Sequence, residues 1–416
     1  MIKEVVCIKE KKIDLTVINS RVSAILRSNT AKTGIRLYDG SCIGIAGAIG
    51  AYKDEELTAS ANQMLDFKLP YPAKPTEGVK RTLDLSTKFG IKDDEFVKMS
   101  SDILDALSKK FPNFMFSNKI FLSETETSLK NDLGTDLVQK DKYVTFVLLT
   151  KHRDSTNMID DLAVYVNREM ECEAVLKELS KKCECYEELA DFNEEGEKVP
   201  VVLLGDHNEF LITFMSDMRG DVFAVGASLF SGKLGEKLFS DKFSLIVNRN
   251  AEKSFSTFFD GEGVVLPDDK FVLIENGVLK APYASKKMAE QYNLQETGSA
   301  SLEYDSVPDA SPMSLRIAKS DKTIKELLGG RKAIFVSMAN GGDFTPQGEY
   351  ASPIQRAYFF DGENFLGRLP QLSMSSNVYD MFGKDFIGVS SDGNYLGSPY
   401  SYLVCEMNVQ KTDGWI

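Results

Sequence analysis

The chain has 416 residues, with 62 acidic and 49 basic side chains and a formal net charge of −13. That length is enough for two domains with a core each, and 43% apolar with 27% charged residues is the composition of an ordinary folded protein. An acidic chain in which no more than two Lys or Arg stand in a row is poorly suited to a nucleic-acid backbone, whose binding needs clustered cations.

The N-terminus has no apolar stretch fit for a signal peptide, and the longest weakly polar run, residues 42–52, is about half a membrane span. The six Cys show no framework spacing, which fits reduced thiols. The expectation is a cytoplasmic protein without membrane association.

In chain order, residues 1–75 read as strand, strand, hairpin and helix, with Asp39-Gly40 as the hairpin turn, a helix over 53–65 and a Pro-bearing loop over 69–75. Phe96, Met99, Ile103, Leu104 and Leu107 recur at helical spacing, predicting a helix over 94–110 that Pro112 ends. Three β-rich segments follow (119–128, 135–139, 142–150), then a strand over 162–169 and a helix over 170–189. The acidic stretch 191–197 is the natural boundary, placed near residue 195. Beyond it, 199–205 is a buried-strand run, and 209–218 is so apolar that helix and strand cannot be told apart. From Phe243 onward the pattern is short strands punctuated by Asp260-Gly261, Asn276-Gly277, Gly341-Gly342 and Asp361-Gly362, with one short helix over 322–328. The fold class is α+β. A mixed α+β domain spans 1–195, and a mostly antiparallel β domain, barrel- or sandwich-like, spans 196–416.

Chemistry-bearing residues are sparse. The only two His are His152, read as a solvated strand end, and His207, read as a turn residue, with Asp206 or Asn208 able to cap a helix after it. Cys183 and Cys185 point to different faces of one helix and read, with Cys405, as core thiols. Residues 44–50 (GIAGAIG) and 231–237 (SGKLGEK) lack the spacing of phosphate loops, and there is no GxSxG elbow. Asp260 and Glu262 are closely spaced carboxylates of the kind a hydrolase uses, but their Gly neighbours favour a solvated β-turn. By residue chemistry alone no catalytic constellation stands out.

The second half resembles the TldD/TldE (PmbA) family. The carrying segments are LFSGKLGEKLFSDKFSLIV (229–247), FDGEGV (259–264) as a D-x-E-G motif, and LIENGVLK (273–280). TGSA (297–300), PDASPM (308–313), KTIKELLGG and SMSSNVYDMFGKDFIGVSSD follow in order. The opening, DLTVINSRVSAILRSNTAKTGIRLYDGSCIGIAGA, resembles the family's Gly-Ile-Arg strand and the Gly-containing strand after it, more loosely. The resemblance implies a two-subunit zinc metalloprotease acting on unfolded or precursor peptides. Its TldD-type subunit holds the metal on HExxxH plus a distant Cys, with the Glu as base on a metal-activated water.

Carried over residue by residue, that site is erased. The His positions fall on Leu211 and Ser216, the Glu on Ile212 and the Cys near Pro399, with Cys405 a few residues out of register. Shifting the motif onto His207 supplies neither the Glu nor the second His. The resemblance therefore implies the metal-free TldE/PmbA type, with no cofactor of its own, zinc confined to a TldD-type partner, and assembly with that partner or with itself. A stand-alone homodimer that binds peptides without cutting them, and an unrelated enzyme using Asp260 and Glu262, are the alternatives.

Overall fold

The computed structural model describes residues 1–193, 198–204, 208–311, 314–339, 341–392 and 401–412. Its N-terminal half is a seven-stranded sheet made largely of very long strands. The elements are β1 (Ile2–Ile18), β2 (Arg21–Asp39), β3 (Cys42–Ile49), α1 (Asp54–Met64), β4 (Lys80–Asp84), α2 (Asp93–Lys110), β5 (Phe114–Asn131), β6 (Asp136–His152), β7 (Asp161–Asn167) and α3 (Cys172–Tyr186). The order is β3-β2-β1-β5-β6-β4 with β7 beside β6, and only the β4–β6 pair is parallel.

Alternation along these strands builds the core. Ile13, Leu15 and Val17 of β1, Ile120 and Leu122 of β5, and Val144, Phe146 and Leu148 of β6 pack with α2 and α3. Helix α2 forms where the periodicity places it. Acids Asp93, Asp94 and Glu95 open it, Lys109 and Lys110 close it, and Phe96, Ile103, Leu104 and Leu107 are buried. The expected break between residues 139 and 142 does not occur, and β6 runs through it. Asp141 is buried there in a two-pronged pair with Arg168 (2.7 and 2.6 Å), so the polar residues were no turn signal.

The second half adds β8 (Lys198–Leu204), α4 (Asn208–Asp217), α5 (Gly220–Ala224), β9 (Leu245–Asn248), β10 (Lys270–Glu275), β11 (Val278–Leu279), α6 (Lys286–Tyr292), β12 (Leu315–Ile317) and α7 (Ile324–Leu328). It ends with β13 (Ala333–Ala339), β14 (Asp343–Phe344), β15 (Glu349–Phe360), β16 (Phe365–Arg368), β17 (Leu372–Asn377), α8 (Val378–Met381), β18 (Phe386–Val389) and β19 (Tyr402–Lys411). Strands β13-β8-β19-β17-β15 close on themselves through a β13–β15 pairing, giving a five-stranded barrel in which only β8–β13 is parallel. Of the two architectures left open by the sequence, the barrel is the one that forms. A small antiparallel sheet, β11-β10-β9-β12, stands beside it.

The sequence reading expected one helix after residue 243, and the structure has more. Helix α6 carries recognisable signals: Ser285 accepts the amide of Met288 at 3.2 Å, and Asn293 closes the helix in the left-handed region. The ambiguous segment after β8 is helical, as α4.

Barrel residues alternate between two cores. Val201, Leu203, Ile334, Val336, Leu372, Met374, Cys405 and Met407 pack with α4 and the small sheet. Val202, Phe335, Tyr358, Phe360 and Val404 share a core with the N-terminal sheet, α2 and α3. Both halves thus meet in continuous apolar contact. The boundary placed near residue 195 lies outside the described residues.

Candidate functional site

Helix α4 carries the positions that the family resemblance assigns to metal chemistry. Leu211 is 1% exposed, Ile212 is 39% exposed and Ser216 is exposed, so two of the three face solvent while the third faces the core. On the buried face, the Phe214 ring lies 5.1–5.7 Å from those of Phe230, Phe239, Phe243 and Phe382. The Phe210 ring lies 5.4 Å from that of Tyr350, tilted against it by 58°. Such an aromatic cluster holds α4 by burial and edge contacts. It also decides whether zinc fits. Leu and Ile offer no lone pair, Ser216 is exposed while Leu211 is buried, and the residues at these positions do not make a zinc site. Among the described residues, no group of three or more His, Cys, Asp or Glu is placed to hold a metal ion. Pro399 and His207 lie outside the described residues. Cys405 is fully buried in β19, where burial pushes its thiol far above the usual range.

The D-x-E-G segment has a different role from the expected solvated turn. Asp260 and Glu262 are 0% and 2% exposed. Asp260 Oδ1 accepts the amides of Glu262 and Val264, and Oδ2 that of Ala300, each at 2.9 Å. Glu262 accepts the Tyr71 hydroxyl at 2.6 Å and the amides of Lys286 and Lys287 at 2.6 and 3.2 Å, where α6 begins. The turn is buried because the N-terminal sheet sits on it. Burial, and then the neighbouring Asp260 charge, push the Glu262 carboxyl up to about 7, against the pull of its three donors.

That sheet contributes a second buried carboxylate. Glu4 and Arg36 face each other across β1 and β2, both 0% exposed and 3.2 Å apart. Arg36 also donates to the carbonyls of Gly261 and, at 2.9 Å, of Glu303. Tyr38 donates to Glu4 at 2.9 Å, and its ring meets that of Tyr71 at 5.3 Å. Gly34 lies two residues before Arg36 on the same face, and a Cβ there would come within 1.7 Å of the Tyr304 carbonyl oxygen. A Cβ on Gly261 would come equally close to Ser301 O. The Gly-Ile-Arg strand and the D-x-E-G turn are therefore two sides of one junction, in which every carboxylate oxygen of Asp260 and Glu262 is already held. Beside it, Pro72, Thr76, Val264, Lys286 and Glu290 line an open cavity of about 800 Å³.

A second polar junction joins α3 and β7 to the barrel. Asp161 accepts Lys182 Nζ at 3.2 Å, Ser337 at 2.6 Å and Tyr358 at 2.8 Å. Asp160 accepts the His152 amide at 2.7 Å, Ser155 at 2.7 Å and Tyr186 at 2.9 Å. Here His152 departs from its expected solvated position. It is 7% exposed because the Phe114 and Tyr186 rings cover it, at 4.9 and 5.3 Å.

Arg36 was visible only as part of the Gly-Ile-Arg motif, and Glu4, Tyr71, Asp160 and Asp161 were not singled out in the sequence. For Glu4 a signal existed: it lies on the strand face of Val6, so an inward charge demanded a partner. Cys183 and Cys405 are core thiols, and Cys185 reaches the Phe365 carbonyl at 3.3 Å.

Residues 196–411 match the family model described as the PmbA/TldA metallopeptidase C-terminal domain, and the chain belongs to this TldD/TldE (PmbA) family. It is 27% identical over 158 residues to an uncharacterised protein of Methanocaldococcus jannaschii, covering 37% of this chain and 36% of that one. It is 28% identical over 169 residues to a metalloprotease of the same organism, covering 40% and 37%. The matched stretch thus spans little more than a third of these relatives. In fold it is similar to TldE from Thermococcus kodakarensis (TM-score 0.80, 18% identity, 98% of this chain and 96% of that one). It is also similar to a protein described as a putative modulator of a DNA gyrase from Thermotoga maritima (TM-score 0.79, 17% identity, 98% and 96%). Among the described residues no helix is long and apolar enough to cross a membrane.

Proposed function

We propose that this chain is a non-catalytic subunit of the TldE/PmbA type, cytoplasmic, acting beside a metal-bearing TldD-type subunit in the processing of unfolded or precursor peptides. The observation that carries this reading is Leu211. Its side chain is packed in an aromatic core at a metal-ligand position, while Ile212 and Ser216 face outward. Leu and Ile in place of a ligand and the base, with one exposed Ser hydroxyl at the third position, leave no means of holding a metal or activating water. The retained junction motifs support a preserved scaffold whose work is shaping and assembly.

The test is elemental analysis of untagged protein together with peptide hydrolysis, alone and with a TldD-type subunit carrying HExxxH. The expected result is no bound zinc and no cleavage alone, with co-purification of the pair and cleavage by it. Stoichiometric zinc on the isolated chain, or peptidase activity without a partner, would overturn the reading.

A further inference from the structure

Helices α2 and α3 pack beside each other on the N-terminal sheet, and between them runs a groove of about 500 Å³. Leu107 of α2 and Leu176 of α3 give it an apolar floor. Its walls follow the helical repeat: Lys110 stands three residues beyond Leu107, Ser180 four beyond Leu176, and Lys181 four beyond Lys177. Ser180 is 8% exposed and lines the groove, yet its hydroxyl has no hydrogen-bond partner among the described residues. One polar contact at the base is thus left to whatever fills the groove.

Charge selects the occupant. Three Lys and one Glu line the groove, in a chain whose net charge is −13. That acid, Glu184 of α3, reaches across to Lys110 of α2 at 2.8 Å, both side chains being 54% exposed. It shows how a carboxylate docks at this rim, and so exposed a pair is weak enough to be exchanged for another. Lys181 pairs with Glu178 at 3.2 Å, while Lys177 is exposed and has no ion pair among the described residues. A seat between two helices, apolar below and cationic at the rim, matches a third helix whose apolar stripe is flanked by acids. A lone small anion would engage the lysines and leave the leucines uncovered.

We propose that the groove between α2 and α3 docks an acidic amphipathic helix of a partner protein. Its apolar stripe would lie on Leu107 and Leu176, and its carboxylates on Lys110, Lys177 and Lys181. The groove belongs to the N-terminal half and does not depend on the proposed role in proteolysis.

The test is fluorescence anisotropy of the full chain with a labelled helical peptide of about 15 residues, in which Leu recurs at every third or fourth position and Glu flanks it. A control peptide carries Lys in place of each Glu. The expected result is saturable binding of the acidic peptide only, weakening as salt is raised, with amide exchange slowed over residues 104–110 and 174–184. Lys177→Glu/Lys181→Glu should weaken binding at least about tenfold with the circular dichroism spectrum retained, since neither side chain is buried. Glu184→Gln should tighten it, because Lys110 is then released. Leu176→Asp should abolish it, and if that variant fails to fold the Lys variant decides. No binding, equal binding of both peptides, or binding that survives the Lys variant overturns the proposal. So does full displacement of the peptide by inorganic phosphate at constant ionic strength, which would make the groove a simple anion site.

Discussion

Helix α4 and the D-x-E-G turn both fall on motifs of the same family, and they have opposite chemistry. On α4 the positions that the resemblance assigns to a metal site carry Leu, Ile and Ser, and the helix is held by the rings around Phe214. At the turn the carboxylates persist, but they are buried and fully hydrogen-bonded to amides and a tyrosine. Buried charge in this molecule is thus kept where the two halves meet and absent where the resemblance would place a metal. A retained motif marks a retained shape, and the chemistry has to be read from what its side chains touch.

The strongest way to break the comparison is at the junction. Arg36→Met leaves Glu4 buried without its cation and strips the carbonyls of Gly261 and Glu303 of a donor. Removing one partner of a buried pair costs about 3–5 kcal/mol. We expect that loss in denaturant titration, with Arg36→Met/Glu4→Leu recovering part of it. An equal loss in the double variant would mean that the pair itself is strongly stabilising.

Restoring the motif on α4 sharpens the other side. Leu211→His/Ile212→Glu/Ser216→His should not create a zinc site, because position 211 faces the core while 216 faces solvent. The variant should lose about 2–4 kcal/mol, chiefly from placing an imidazole among rings. Calorimetric titration with zinc is the check, and tight stoichiometric binding would show that α4 can turn its face outward.

Local pattern carried much of this into the sequence. Helices α1 and α2, the Asp39-Gly40 hairpin and the buried run of β8 were legible because their period, caps and turns act within a few residues. Strand β6 was divided by its own Asp141, since nothing nearby discloses Arg168 as its partner. The carboxylates of the turn were legible as residues but not as buried ones. Their environment is supplied by Tyr71, at a sequence separation of 191 from Glu262, and such long-range contacts leave no local trace. His152 was misplaced for the same reason, because Tyr186 arrives from α3. The assignment of 211, 212 and 216 to a former metal site comes from the family resemblance alone, and periodicity left that segment undecided between helix and strand.

The smallest effect concerns pH and belongs to Glu262. Its carboxyl is held up to about 7 in the folded chain, against an ordinary value near 4.5 once unfolded. Below the unfolded value both states are protonated and the junction is at full strength. As pH rises through this window the unfolded chain loses its proton first, so stability declines until about pH 7 and then levels. A separation of this size corresponds to about 3 kcal/mol between the two plateaus, of which about 2.5 kcal/mol falls between pH 5 and 8. Glu262→Gln should flatten the profile of melting temperature between pH 5 and 8, whereas Tyr71→Phe should steepen it, because the tyrosine hydroxyl is one of the donors that pull the carboxyl down. A wild-type profile that rises over the same range would mean that the three donors outweigh burial and that Glu262 stays ionised within the junction.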